Sequence, residues 1–201
     1  MTAGTDGEAA GTTPAAVLDF WLGAAGGETR GRFRQEWFTK DPDFDATIRT
    51  AFADAVGRAL AGGFAEWEAT GDGTLALLIL LDQFPRNLFR GTARAFAGDA
   101  RARAVADRAL ARGCDRGRPA CERIFFYLPF EHSELMADQD RSCALFGQLA
   151  GEENGASYVD YAERHRDVIR RFGRFPHRNA ALGRASTPEE EAFLKQPNSS
   201  F

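Results

Sequence analysis

Apolar residues recur at helical spacing along most of the chain, and this periodicity constrains the fold more than any other feature. After Asp41-Pro42, the apolar positions are Ile48, Phe52, Ala55, Val56, Ala59 and Leu60. Their three- and four-residue steps place them on one face of a helix. No run of alternating apolar and polar residues bounded by hairpin turns occurs. The sequence therefore predicts an all-α fold.

Proline and glycine mark where several helices begin and end. Thr13-Pro14 and Asp41-Pro42 each offer a capping side chain followed by proline, and Thr187-Pro188-Glu189-Glu190 has the pattern of a capping box. The apolar run Leu75–Leu81 predicts a buried helix that stops at Pro85. Eight to nine helices joined by short loops are expected to pack as antiparallel helical hairpins.

Composition limits the class of protein. A chain of 201 residues is the usual size of one domain, which we place at 14–201 after a flexible Gly/Ala/Thr-rich tail at 1–13. The net charge of −4 argues against a nucleic-acid partner, and no apolar run is long enough to span a membrane. Three cysteines without zinc-like spacing and a start without a basic segment predict a reduced, cytoplasmic protein.

The first polar cluster follows the apolar run and contains Asp82, Gln83, Arg86 and Asn87. These donors and acceptors would surround a helix terminus where a small polar or anionic ligand could meet them. The alternative is a helix end at Pro85, with the same side chains satisfying its free carbonyl groups.

The second cluster contains Glu131, His132 and Glu134, after Pro129. If a helix begins there, Glu131, Glu134 and Asp138 share one face, and such a group needs a cation, a proton or an arginine to relieve repulsion. The competing interpretation is that the acids complement the dipole of a helix N-terminus.

The third and fourth clusters lie near the C-terminal end of the sequence. His165 shares an apolar stripe with Val168 and Ile169, beside Arg166, and is either a structural core histidine or a tuned acid or base. Arg174, His177, Arg178 and Asn179 form a cationic turn that could hold a carboxylate or phosphate, or could be solvated arginines over aromatic residues.

All three histidines fall inside these clusters, next to acids and arginines. We therefore predict that Glu131, His132, His165 and His177 are catalytic. The same four residues are the candidate ligands of a divalent metal, although no metal-binding pair occurs on one helix. The predicted substrate-binding residues are Asp82, Gln83, Arg86, Asn87, Glu134, Arg166, Arg174, Arg178 and Asn179.

Several of these segments together resemble the bacterial family known as domain of unknown function 924. The segments are Val17–Trp21, Trp37-Phe38, Leu80–Asn87, Phe126–Glu134 and Arg174–Asn179. The resemblance covers about 14–201. It implies an all-helical, tetratricopeptide-like arrangement of packed hairpins, and it implies little about activity.

Three functional hypotheses follow. The first is a pocket that binds or transforms a small anionic or polar molecule by acid/base chemistry, with or without the help of a metal. The second is a tetratricopeptide-like module that holds a peptide or protein partner in an open groove, without catalysis. The third is a structural network of buried arginine–carboxylate pairs that fixes how the helices cross. The burial of Arg174 and Arg178 distinguishes the first two hypotheses. An open groove leaves both side chains facing solvent, whereas a pocket buries them.

Overall fold

A computed structural model of the protein describes residues 11–197 and residue 199. Within these residues the α-helices are α1 (Pro14–Leu22), α2 (Pro42–Leu60), α3 (Gly71–Leu78), α4 (Phe84–Leu88), α5 (Asp99–Ala111), α6 (Ala120–Glu131), α7 (Met136–Gly147), α8 (Gly155–Phe172) and α9 (Pro188–Leu194). A π-helix, Ile79–Gln83, joins α3 to α4. No β-strand occurs in the part of the chain so described, and the predicted all-α fold is confirmed.

The predicted helix starts are confirmed by their caps. The Thr13 hydroxyl accepts from the Ala16 N–H, and the Asp41 carboxylate accepts from the N–H groups of Asp43 and Phe44. At α9 the Thr187 and Glu190 side chains cap each other's backbone N–H groups. These contacts satisfy N–H groups that have no partner inside the helix.

The prediction that the buried helix stops at Pro85 is wrong. The chain stays helical from Gly71 to Leu88 because five π-helical residues precede Phe84, and Pro85 falls in the first turn of α4. A proline removes one N–H donor and crowds the carbonyl four residues earlier in a regular α-helix, and here the turn that precedes it is π-helical rather than α-helical. With this stretch counted as one helix the fold has eight helices among the described residues, within the predicted eight to nine.

The central helix is surrounded on all sides. Every residue from Leu75 to Leu81 is buried, and α3 contacts α1, α5 and α6. A smaller apolar cluster of Val168, Ile169 and Phe175 lies apart from this core. No described helix combines the length and the apolar character needed to cross a bilayer.

One prediction about the second polar cluster is wrong, and the predictions about the tail and the domain are not tested. The prediction that Glu131, Glu134 and Asp138 share one helix face is wrong, because α6 ends at Glu131 and α7 begins at Met136. Glu131 therefore also lies at a helix C-terminus, and the alternative N-terminal dipole role is excluded for it. Most of the predicted tail, 1–10, lies outside the described residues, and the single domain at 14–201 and the tetratricopeptide-like arrangement stay predictions.

Candidate functional site

Seven polar residues from six segments meet in the interior, and we call them the buried polar cluster. They are Asp82, Arg86, Asp99, Glu131, His132, His165 and Arg178. The π-helix supplies Asp82, α4 supplies Arg86, and α5 begins with Asp99. The end of α6 supplies Glu131 and His132, α8 supplies His165, and a short 3-10 turn at Pro176–Arg178 supplies Arg178.

An aspartate and a histidine form the closest pair of the cluster. His132 Nδ1 lies 2.8 Å from Asp82 Oδ1, and Gln83 Nε2 donates to the other carboxylate oxygen. A carboxylate only accepts, so the proton of a neutral His132 resides on Nδ1 and Nε2 is left as an acceptor. Within the described residues Nε2 has no hydrogen-bond partner, and the His132 side chain is 13% exposed.

Two carboxylates and two guanidinium groups form a chain of ion pairs beside this dyad. Arg86 Nη1 lies 3.0 Å from both Asp82 Oδ1 and Asp99 Oδ1. It also donates to the Asp82 carbonyl oxygen at 2.7 Å. Asp99 in turn lies 3.5 Å from Arg178 Nη1. Arg86 thus links the dyad to Arg178 through Asp99.

Arg178 is the least satisfied charge in the cluster. Its side chain is 7% exposed, and its guanidinium lies over the rings of Phe96 and Phe175, at 4.7 and 4.5 Å from their centroids. The 3.5 Å contact to Asp99 is its one side-chain hydrogen bond to described residues, and its buried Nε has no partner there. A guanidinium has five N–H donors, and the described residues accept a hydrogen bond from one of its nitrogens only.

Glu131 and His165 form a second acid–histidine contact in the cluster. Glu131 Oε1 is 3.5 Å from His165 Nδ1, which lies 2.8 Å from the Tyr161 carbonyl oxygen. Both side chains are buried, and the second Glu131 oxygen has no partner among the described residues. The rings of His132 and His165 are 6.4 Å apart.

Burial and neighbouring charges separate the protonation states of these groups. Burial, with the Asp82 charge, raises the pKa of Glu131 to about 8. Burial lowers the pKa of His132, with a further contribution from Arg86, and also lowers the pKa of His165. The pKa of Asp82 is held below its usual range, because Arg86 and His132 outweigh its burial. At neutral pH Asp82 is charged, whereas Glu131 and the histidines are neutral.

Several other predicted substrate-binding residues form hydrogen bonds outside the buried polar cluster. Asn87 donates to Asp45 at 2.7 Å, and Arg174 donates to Glu190 at 2.6 and 2.8 Å. Asn179 donates to the same Glu190 carboxylate at 3.2 Å. These three residues hold parts of the fold together around the cluster.

Glu134, Arg166 and His177 also lie outside the cluster. Glu134 binds Arg184 through two contacts of 2.7 and 2.9 Å. Arg166 lies 4.0 Å from Asp140. The His177 ring is 5.6 Å from that of Phe175, and burial together with Arg178 lowers its pKa to about 3.

Sequence reasoning missed Asp99, which joins the two arginines of the cluster. Asp99 follows Gly98 at the start of an Arg/Ala-rich helix, where an acid is expected as a dipole partner. Nothing local distinguishes it from other first-turn acids. The one signal that could have found it was the need of buried arginines for carboxylate partners.

The metal hypothesis gains no support from the geometry. In the described residues, no group of three or more His, Cys, Asp or Glu side chains is arranged to hold a metal ion. All three cysteines are free, as expected. A cavity of about 110 Å³ lies near Phe33, Pro119, Cys121 and Asn154, and it shares no residue with the buried polar cluster.

Comparisons with known proteins identify relatives without an assigned role. The model of a family described as a bacterial protein of unknown function, DUF924, matches residues 17–198. The chain is also similar to a solved structure of a protein of unknown function from Agrobacterium tumefaciens. The two share 44% identity with a TM-score of 0.80, over 90% of this chain and 96% of that one. No curated protein matches significantly.

Proposed function

The chain belongs to the DUF924 family of bacterial proteins, and we propose that its buried polar cluster binds a small anionic molecule and exchanges a proton with it. Arg178 would hold the anionic group, and His132 would act as the acid or base. A cytoplasmic location and the absence of a nucleic-acid partner are part of the same proposal.

The observation that carries this proposal is that the described residues leave the buried guanidinium of Arg178 with few hydrogen-bond partners. A buried polar group without a hydrogen-bond partner costs about 1–3 kcal/mol, and more when it is charged. Among the described residues, the one side-chain hydrogen bond of Arg178 is a long contact of 3.5 Å, to a carboxylate that it shares with Arg86. A carboxylate or phosphate oxygen placed on its free N–H groups would remove that cost.

His132 is placed to move a proton at the bound anion. Asp82 fixes the ring through Nδ1 at 2.8 Å, so Nε2, which no described residue binds, is the basic atom. An Asp–His pair of this kind orients the ring and stabilises the imidazolium that forms. In the bound state Nε2 would exchange a proton with the ligand, giving it in one direction and taking it back in the other.

The two alternatives, an open groove that binds a partner and a purely structural network of ion pairs, account for fewer of the observations. An open groove predicts that Arg174 and Arg178 face solvent, yet Arg178 is 7% exposed while Arg174 is 29% exposed and bound to Glu190. A purely structural network describes Arg174–Glu190 and Arg184–Glu134 well. It gives no reason for a buried arginine whose Nε has no partner in the part of the chain that the structure describes.

Acetate binding tests the first half of the proposal. In nitrogen-labelled protein, saturating acetate should shift the Arg178 Nε–H signal. Arg178→Gln should weaken binding at least tenfold while the circular-dichroism spectrum is retained. The matched control is Arg171→Gln, which removes an exposed arginine paired with Glu189 at 2.9 Å and should bind acetate normally. An Arg178 signal that ignores acetate would refute the anion site.

Hydrogen exchange tests the second half and requires no identified substrate. Small carboxylic acids that bind are incubated with the protein in D₂O, and proton NMR follows the exchange of their carbon-bound hydrogens. Exchange should occur for at least one acid and should fall more than a hundredfold in His132→Gln, since general base catalysis contributes about 10²–10⁴. Equal exchange by the variant would remove His132 from the proposed mechanism.

A further inference from the structure

The charges of the buried polar cluster balance without a ligand. Asp82 and Asp99 carry the negative charges, and Arg86 and Arg178 carry the positive ones. Arg86 lies 3.0 Å from both carboxylates and Arg178 lies 3.5 Å from Asp99. The two carboxylates and the two guanidinium groups therefore balance in charge, and these four residues have no net positive charge to receive an anion.

The other groups of the cluster are neutral in this state. His132 shares Asp82 Oδ1 with Arg86, so the charge that would favour an imidazolium is already compensated. His165 is buried and lies beside Glu131, whose second oxygen has no partner among the described residues. An ionised carboxylate in that position would be an uncompensated buried charge, so Glu131 keeps its proton.

A bound anion would therefore leave one negative charge uncompensated in a site with little access to water. Such a charge costs several kcal/mol unless a neighbouring group changes its protonation state. We propose that the site takes up its anion together with one proton from solvent, and that this proton binds His132 Nε2. This inference rests on the proposed function and deepens it, because the ligand then enters as the equivalent of a neutral acid.

The surroundings single out His132 as the proton acceptor. It faces Asp82 and Arg86 from the central helix, Asp99 from α5, His165 from α8 and His177 from the 3-10 turn, with Glu131 adjacent in the chain. Arg178 acts on the two neighbouring histidines, His165 and His177. Asp82 touches its Nδ1 and accepts a hydrogen bond from the ring in both protonation states, and the bound anion would supply the charge that the imidazolium needs. His165 instead meets a carbonyl oxygen, and burial together with Arg178 disfavours a charged His177.

The step is a simple protonation. A proton from water or buffer forms an N–H bond at Nε2, and the imidazolium that results lies between the Asp82 carboxylate and the incoming anion. No bond of the ligand breaks. Because the proton is taken up only with the anion, binding should weaken as pH rises, by up to about tenfold per pH unit.

The test uses calorimetry with acetate, which stays ionised near neutral pH and so contributes no proton. Titrations in two buffers of different protonation enthalpy give the number of protons taken up, which should be close to one in the wild-type protein. His132→Gln should bind acetate more weakly, by about tenfold, and with no proton uptake. Arg171→Gln, on the exposed pair with Glu189, should behave like the wild type.

Each result has one meaning. Binding with one proton, lost in His132→Gln, supports the inference. Acetate binding without proton uptake overturns it and leaves the anion site intact, whereas uptake that persists in His132→Gln overturns the assignment to His132. Absence of acetate binding in the wild-type protein overturns the proposed function itself and this inference with it.

Discussion

His132 Nδ1 and Asp82 Oδ1 lie 2.8 Å apart, although 50 residues separate them in the chain. The contact joins the end of α6 to a π-helical turn in the central helix. Single-turn π-helices occur mostly inside α-helices and often at functional sites. Here the π-helix supplies the carboxylate that orients the candidate base.

Asp82→Asn should be strongly destabilising. It removes the carboxylate from a buried pair and leaves Arg86 with Asp99 alone, and breaking a buried pair in this way costs about 3–5 kcal/mol. Urea denaturation measures the loss. The control is Asp167→Asn, at an exposed pair with Arg170, where a change below about 0.5 kcal/mol is expected. Equal effects of the two variants would contradict the buried pairing.

Glu131→Gln should remove part of the pH dependence of stability. The pKa of Glu131 is about 8 in the folded protein, against 4.5 for the ordinary side chain. Between these values the folded state holds the proton that the unfolded state has released, so the free energy of unfolding falls as pH rises. The contribution is complete below the lower value and is lost by the time pH passes the upper one.

Glutamine mimics the protonated acid and does not titrate. The stability difference between the variant and the wild type should therefore shift in favour of the variant as pH rises through this window and then level off. Urea melts of both proteins from acidic to alkaline pH give this difference. A difference that stays constant with pH would mean that Glu131 is ionised in the folded protein.

Glu134→Gln should loosen the segment between α8 and α9 that carries Arg178. The Glu134 carboxylate binds Arg184 at 2.7 and 2.9 Å and accepts the Phe175 N–H at 2.8 Å. Hydrogen bonds to charged groups contribute about 1.5–3 kcal/mol each, and less where the pair is partly exposed.

We expect faster amide hydrogen exchange at 173–184 in this variant, measured by mass spectrometry. Glu189→Gln removes a nearby but exposed partner of Arg171 and should leave exchange in that segment unchanged. If both variants left it unchanged, the contacts of Glu134 would not hold the segment in place.

Gly98→Ala should disturb the central helix. A Cβ at Gly98 would lie 2.0 Å from the Leu81 carbonyl oxygen, inside the π-helix, and backbone would have to shift. Overpacking of this kind costs about 1–3 kcal/mol. Gly57→Ala is the control, because a Cβ there meets nothing within 4 Å and alanine favours the α2 helix. Thermal melts should show a lower Tm for the first variant and an equal or higher Tm for the second.

Helices and their starts could be predicted because they depend on neighbours in sequence. The capping box at Thr187 and Glu190 closes within four residues, and the apolar stripe of α2 needs only its own periodicity. The same local reasoning failed at Pro85, where it predicted the end of the helix. Its effect depends on the five π-helical residues before it, and no local pattern distinguishes them from an α-helix.

The sequence by itself determined the all-helical class and the residue types that could form a polar site. Only the tertiary structure decided that Arg178 lies in the buried polar cluster while Arg174 binds Glu190, and that Asp99 joins the cluster. The physical reason is that a buried charge is placed by its partner, and here the partners come from distant segments. Arg178 and Asp99, for example, are 79 residues apart.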